Sequence, residues 1–164
     1  MAIMGLSSRH RAGRKTFVIE QEFSMSIFAS PRFLRLVMWA DAASCAATGA
    51  QQLALQRPLA DLTGLPPFLL TATGLFLLAY ASAAAWMARR EPLPRTLIGL
   101  VAVGNLGWAL GCAVLVFGSG LALSAWGLAW VAAQAVVVLV LADLQWAGLR
   151  ATRHAARQEA QLAL

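Results

Sequence analysis

The chain has 164 residues, of which 60% are hydrophobic and 12% charged, and a net charge of +6. A soluble domain carries about 25% charged residues, so this composition excludes an ordinary water-soluble fold and leaves room for one membrane bundle with no separate soluble domain. Nucleic acid is not the expected partner of the positive charge: the basic residues gather beside apolar stretches, where anionic headgroups attract each at roughly 1 kcal/mol.

Residues 1–30 form a polar tail with Arg9, Arg11, Arg14 and Lys15, expected to be poorly ordered. Phe17, Val18 and Ile19 are too short a run for a signal-peptide core, and no small-residue cleavage site follows. Met25 offers an alternative translation start, because the codons of Gln21-Glu22 can form a purine-rich ribosome-binding sequence.

Residues 31–149 read as four membrane spans, over about 33–55, 66–88, 95–117 and 121–144. Each is close to the roughly 20 apolar residues that cross a bilayer. Pro31 suits the start of the first span, and Gln56-Arg57-Pro58 ends it. The connection that follows contains Asp61, Thr63 and Gly64, with Leu59, Leu62 and Leu65 placed to dip into the interface. Pro66 and Pro67 suit the first turn of the second span. Arg89, Arg90, Glu91, Pro92 and Pro94 make a charged, proline-broken turn before the third. Gly118-Ser119-Gly120 is an uncharged tight turn before the fourth, whose helix extends toward Leu149. Residues 150–164 are a short basic tail, in which Arg150, Arg153, His154 and Arg157 share a helical stripe.

The basic residues alternate between the two sides. Arg9, Arg11, Arg14, Lys15, Arg32, Arg35, Arg89, Arg90, Arg95, Arg150, Arg153 and Arg157 fall on one side and Arg57 alone on the other. The positive-inside rule then places both termini in the cytoplasm. The expected fold is all-α: an antiparallel up-down four-helix bundle in a bacterial inner membrane. The preference for arginine over lysine, with abundant alanine and leucine, fits a GC-rich bacterial genome. Trp39, Trp86 and Trp146 fall near the cytoplasmic boundary and Trp126 near the other, as in interfacial belts; Trp108 and Trp130 are deeper and are expected to pack.

Polar residues inside the spans are the informative ones, since each needs a partner or water. Asp41, Ser44, Cys45, Thr48 and Gln52 recur at offsets 0, 3, 4, 7 and 11, which is one helical face. That face should turn to the bundle or to a hydrated cleft. Asp41 lies six residues past Arg35, roughly 9 Å in. This shallow depth favours a structural carboxylate near a helix start over a proton or cation site. Asp143 lies at similar depth on the same side, and Asn105 somewhat deeper. Asp41, Ser44, Thr48, Gln52, Asn105 and Asp143 are the candidate polar cluster, read as a cap that fixes helix register. Gln134 and Gln145 share a face of the fourth span from which Asp143 points away. Gly104, Gly107 and Gly111 give the third span a close-approach stripe, expected to pack within the chain, with a homodimer face as the alternative.

Cys45 and Cys112 fall at different depths, roughly 15 and 25 Å from the same side, too far apart for a disulfide. The only histidines, His10 and His154, lie in the tails, which excludes an intramembrane bis-histidine haem. No metal-ligand cluster, phosphate loop, dinucleotide fingerprint or nucleophile elbow occurs. No catalytic, cofactor-binding or metal-binding residue is therefore expected.

The segments Leu36-Val37-Met38-Trp39-Ala40-Asp41-Ala42-Ala43-Ser44-Cys45, Gly64-Leu65-Pro66, Gly104-Asn105 with Trp108, and Ala142-Asp143-Leu144-Gln145 resemble a family of small uncharacterised four-helix bacterial inner-membrane proteins, over about 30–149. The outline is also similar to DoxX-like four-helix membrane proteins. The first resemblance implies the fold and location but no activity.

Three functions compete. The leading expectation is a non-enzymatic accessory or assembly protein acting through helix contacts with a membrane-protein partner, held at anionic headgroups. The alternative is a small-solute or proton-coupled transporter using Asp41. Small multidrug transporters share four spans and a carboxylate in the first, but their third-span aromatic pattern is not reproduced. The third is an accessory subunit of an enzyme, using the cytoplasmic polar cluster.

Overall fold

The computed structural model describes residues 30–162, with side chains throughout except at Pro31, residues 154–160 and Leu162. The expected disordered tail, the basic cluster Arg9 to Lys15 and the alternative start at Met25 lie outside the described residues, as do the side chains of His154 and Arg157. The described regular structure is all helical: α1 Pro31–Ala54, α2 Gln56–Thr63, α3 Pro67–Arg89, α4 Arg95–Gly118 and α5 Ala125–Leu162.

The helix ends have local causes. Ser30 caps α1 by accepting the Arg32 backbone N–H at 3.2 Å, and Pro31 occupies a first-turn position where no N–H is needed. Helix α1 stops at Ala54 because Pro58 has no N–H for the Ala54 carbonyl and its ring crowds that oxygen. Leu55 leaves helical geometry and a new helix begins. The connection expected between the first two spans is thus partly a short helix, α2. It is amphipathic: Leu59 and Thr63 are buried while Arg57, Asp61 and Leu62 are exposed. Gly64 ends it at φ +76°, and a Cβ there would lie 2.6 Å from the Ala122 carbonyl oxygen. Left-handed backbone and lack of space both demand glycine.

Helix α5 starts at Ala125, later than the expected Leu121. The intervening residues are tied to α2: the Ser124 N–H donates to the Thr63 carbonyl at 3.0 Å and its hydroxyl to the Leu62 carbonyl at 2.6 Å. Ser124 Oγ also accepts the Gly127 N–H at 3.0 Å, a conventional N-cap bond. At its other end α5 passes Leu149 and runs to Leu162. Residues 150–162 hold no glycine or proline to stop it.

Three helical stretches among the described residues are long and apolar enough to cross a membrane: α3, α4 and Ala125–Arg153 of α5. Helix α1 is not among them, because Arg32, Arg35 and Asp41 with its polar stripe dilute its apolar content. The surface is apolar where a soluble protein would be polar: Leu36, Leu100 and Leu110 are 68%, 68% and 67% exposed, while Asp41, Gln52, Asn105 and Gln145 are buried. Lipid as solvent accounts for that inversion.

Packing is uneven. Helices α1 and α3 form one close pair and α4 and α5 another, with α1 also touching α5; α3 and α4, though consecutive, scarcely meet. Gly49 and Gly74 let α1 and α3 approach: a Cβ on Gly49 would lie 2.8 Å from the Gly74 carbonyl oxygen. One apolar cluster, with Leu34, Met38, Ala84, Ile98 and Leu149, lies at the end carrying Arg89, Arg90, Arg95 and Arg150, the arginine end. A second, with Leu59, Leu65, Leu70, Cys112 and Val131, lies at the far end.

Candidate functional site

The polar centre is Asp41 on α1. Its Oδ2 accepts from Gln145 Nε2 of α5 at 2.8 Å, from Tyr80 Oη of α3 at 2.9 Å and from Asn105 Nδ2 of α4 at 3.2 Å. Its Oδ1 lies 3.5 Å from the thiol of Cys45, one turn along α1, which donates to it. Asn105 Nδ2 also lies 3.2 Å from Gln145 Oε1. Four helices therefore converge on one carboxylate, and Asp41 and Gln145 are each 0% exposed.

No cation partners Asp41: among the described residues the ion pair is Arg35–Glu91, at 2.8 Å near the surface. The carboxylate is held by neutral donors alone. Hydrogen bonds from several donors are what a buried polar group requires, and hydrogen bonds to a charged acceptor are stronger than neutral ones. Met38, with its sulfur 3.7 Å from Gln145 Nε2, begins the apolar cluster that closes the arginine side of the site.

The structure brings together some expected members and separates others. Asp41 and Asn105 meet. Ser44 turns its hydroxyl back to the Asp41 backbone carbonyl at 2.9 Å. Gln52, buried about three turns away, accepts from Thr73 Oγ1 of α3 at 3.0 Å and forms a second, separate polar contact. Thr48 faces a cleft between α1 and α5. Asp143 is exposed and outside the network, because its place two residues before Gln145 rotates it about 200° away on α5. Asp143 as a partner of Asp41 is thus corrected: Gln145 fills that role.

Tyr80 and Gln145 complete the site. Tyr80 is the sole tyrosine in the chain and sits in an uncharged span, where a hydroxyl needs a partner. That was a usable signal.

The glycine stripe also departs from expectation. A Cβ built on Gly104, Gly107 or Gly111 meets nothing within 4 Å among the described residues, so these glycines pack against no other described helix. The close approaches fall instead at Gly49, Gly74 and Gly127, and a Cβ on Gly127 would lie 2.1 Å from the Thr63 carbonyl oxygen.

Two clefts flank the packed centre. One, of 430 Å³, lies between α3 and α4 and is lined by Phe76, Trp108, Gln52, Thr73 and the three glycines of α4. The other, of 310 Å³, lies between α1 and α5. Trp108 and Gln134 line both, and the Trp108 ring stacks on Phe76 with centroids 5.6 Å apart, bridging α4 to α3. Asp41 lines neither cleft.

At the arginine end three guanidinium groups cover three tryptophans: Arg89 over Trp39 at 5.4 Å, Arg90 over Trp86 at 4.3 Å and Arg150 over Trp146 at 5.4 Å. Arg95 crosses to α5, donating to the Leu149 carbonyl at 3.1 Å and to Thr152 Oγ1 at 2.5 Å. No group of three or more potential metal ligands occurs among the described residues, and Cys45 and Cys112 are free and buried. No family model, curated protein or solved structure matches the chain.

Proposed function

We propose that the chain is an accessory protein of the bacterial inner membrane, a four-helix bundle that crosses the membrane four times and works through helix contacts without catalysis. The observation that carries this reading is the uncovered face of α4. Among the described residues, a Cβ on Gly104, Gly107 or Gly111 meets nothing within 4 Å, and α3 leaves a cleft of 430 Å³ beside them. A small-residue stripe allows close backbone approach, so the occupant is an apolar transmembrane helix of a partner protein.

Four crossings require α1 to span as well. Its 24 residues reach roughly 36 Å at the helical rise, enough for a hydrocarbon core of about 30 Å. Its polar face is turned inward, and Leu36, Trp39, Ala43, Ala47 and Ala50 face outward. The arginine end, with three arginine-covered tryptophans, is the cytoplasmic end by the positive-inside rule and suits anionic headgroups. Both termini then lie on that side.

Transport through Asp41 is the weaker reading, since the carboxylate is fully buried and lines neither cleft.

A photo-crosslinking side chain at Leu110, which is 67% exposed on α4, tests the proposal in cells. The expected outcome is one discrete adduct, lost in Gly107→Leu/Gly111→Leu while the same crosslinker at Leu139 on α5 gives none. An adduct at twice the monomer mass would replace the partner with a second copy. Absence of any discrete adduct in a correctly inserted protein would remove the proposal's support.

A further inference from the structure

The cleft beside the glycine stripe reaches into the bundle. Besides the three glycines of α4 it is lined by Gln52 of α1, Thr73 of α3 and Gln134 of α5, so all four long helices contribute to its wall. Gln52 is only 2% exposed. Its carbonyl Oε1 accepts from Thr73 Oγ1 at 3.0 Å, but its amide nitrogen has no hydrogen-bond partner among the described residues. That nitrogen is not sealed. Among the described residues the sealed, unpartnered side-chain nitrogen and oxygen atoms are Arg35 Nε and Trp130 Nε1, so the little surface Gln52 keeps includes its amide nitrogen. Both N–H donors of that group are therefore open to the space that Gln52 lines.

Two more groups of the wall are in the same state. Gln134 is half-buried, and neither end of its amide has a partner among the described residues. It lies nine residues into α5, roughly 14 Å from Ala125, in a stretch apolar enough to span. The Trp108 indole N–H also lacks a partner there and is not sealed. Polar groups in hydrocarbon need partners, and the Asp41 hub shows this chain supplying them elsewhere. Around this cleft the unpaired groups are mostly donors, from three helices, and no charged side chain lines it.

We infer that the partner helix carries an asparagine or glutamine, whose carboxamide enters this cleft and pairs with Gln52 and Gln134. A carboxamide oxygen accepts from the Gln52 amide, and its own N–H groups donate to Gln134 Oε1. An apolar side chain would leave the donors unpaired. A carboxylate is far costlier to place in a spanning helix, and the cleft offers it no cation. The glycine stripe lets the partner backbone come close, within reach of a short side chain. The inference rests on the α4 face as the docking surface and adds the contact that selects the partner.

The test places the full chain in nanodiscs with synthetic single-span leucine–alanine helices at low peptide-to-lipid ratio. One probe has a central asparagine, a second has leucine there and a third aspartate. Energy transfer from the protein's tryptophans to a dansyl group on the peptide reads binding. The asparagine probe should bind about fivefold tighter than the leucine probe, as one polar contact between membrane helices supplies. Gln52→Leu should bring that ratio close to one, and Gln134→Leu should lower it. Thr73→Val breaks the same intrachain bond as Gln52→Leu but keeps the amide, so it should retain the preference. Gln134→Leu removes no polar contact within the chain and should leave the thermal midpoint unchanged or raised, which separates lost binding from lost folding.

The inference is overturned if wild type binds the asparagine and leucine probes equally, or if the aspartate probe binds tightest. It is also overturned if Thr73→Val loses the preference as fully as Gln52→Leu, or if the preference survives both glutamine replacements. Equal binding that Gly107→Leu/Gly111→Leu still blocks would remove the amide contact alone and leave the α4 face as a docking surface. Absence of the Leu110 adduct in cells would take both.

Discussion

The half of the protein near the arginine end gathers its polar side chains into one hub, whereas the half beyond it pairs Gln52 with Thr73 and leaves other polar side chains in the wall of a cleft. In the first, Asp41, Tyr80, Asn105 and Gln145 come from four helices and satisfy one another, and Leu34, Met38, Ile98 and Leu149 pack around them. In the second, Thr48, Trp130 and Gln134 stand in the wall of a cleft without such partners, and Gly104, Gly107 and Gly111 stand uncovered. One half holds the helices in register; the other leaves room for something else. In a membrane, where apolar burial between helices gives little drive, a saturated polar hub is an economical way to specify one arrangement.

The sharpest way to break this contrast is at the far end, where α2 meets α5. Gly127→Ala places a Cβ 2.1 Å from the Thr63 carbonyl oxygen, a backbone clash that no rotamer relieves. A loss of about 3 kcal/mol or more is expected, read as a lower thermal midpoint in detergent. Gly107→Ala on the uncovered stripe is the control, neutral or stabilising by up to about 1 kcal/mol through helix propensity. Equal stability of the two variants would mean that α2 does not seat against α5 as described.

Next in size is the hub. Asp41→Ala leaves the donors of Tyr80, Asn105 and Gln145 unpaired in a dry site, a loss of about 2 kcal/mol; Asp41→Asn, which keeps one acceptor oxygen, should lose less. Asp143→Ala, at an exposed position, should stay within about 0.5 kcal/mol. If the two aspartates proved equivalent, the hub would not be where the structure puts it.

A double-mutant cycle over Asp41→Asn and Gln145→Leu should then give a coupling of about 1 kcal/mol, above the average of about 0.6 for polar contacts between membrane helices. The same cycle between Asp41→Asn and Gln134→Leu should give none, since Gln134 belongs to the clefts. The smallest effect is at the rim. Arg90→Gln uncovers Trp86, over which the guanidinium lies at 4.3 Å, and should lower stability by about 0.5 kcal/mol while shifting tryptophan emission.

Much of the helical plan was legible. Charge-free stretches, prolines and the glycine-serine turn located α3 and α4 to within about a residue. Asp41 and Asn105 were recognised as inward-facing from their polarity in apolar spans. Helix α2 was not recognised, because eight residues with Arg57, Pro58 and Asp61 resemble a loop unless Leu59 and Thr63 are known to be covered. Asp143 was grouped with Asp41 on depth, although the face shared by Gln134 and Gln145, from which it points away, was legible in the same spacing. Depth ignores rotation about the helix axis, and the inward-facing register of Gln134, Val138, Leu141 and Gln145 points it away. The glycine stripe misled for a related reason: GxxxG permits close packing but does not name the partner.

What the sequence determined by itself is the medium and the helical plan: apolar length sets the spans, and arginine placement distinguishes the two ends. Only tertiary structure decided which helices touch. The pairing of α1 with α3 and α4 with α5 depends on the Gly49–Gly74 approach and on four polar side chains meeting at one point, both properties of relative rotation that a linear pattern does not carry. From that pairing come the sealed carboxylate and the two clefts, and it is the clefts, not the carboxylate, that open outward.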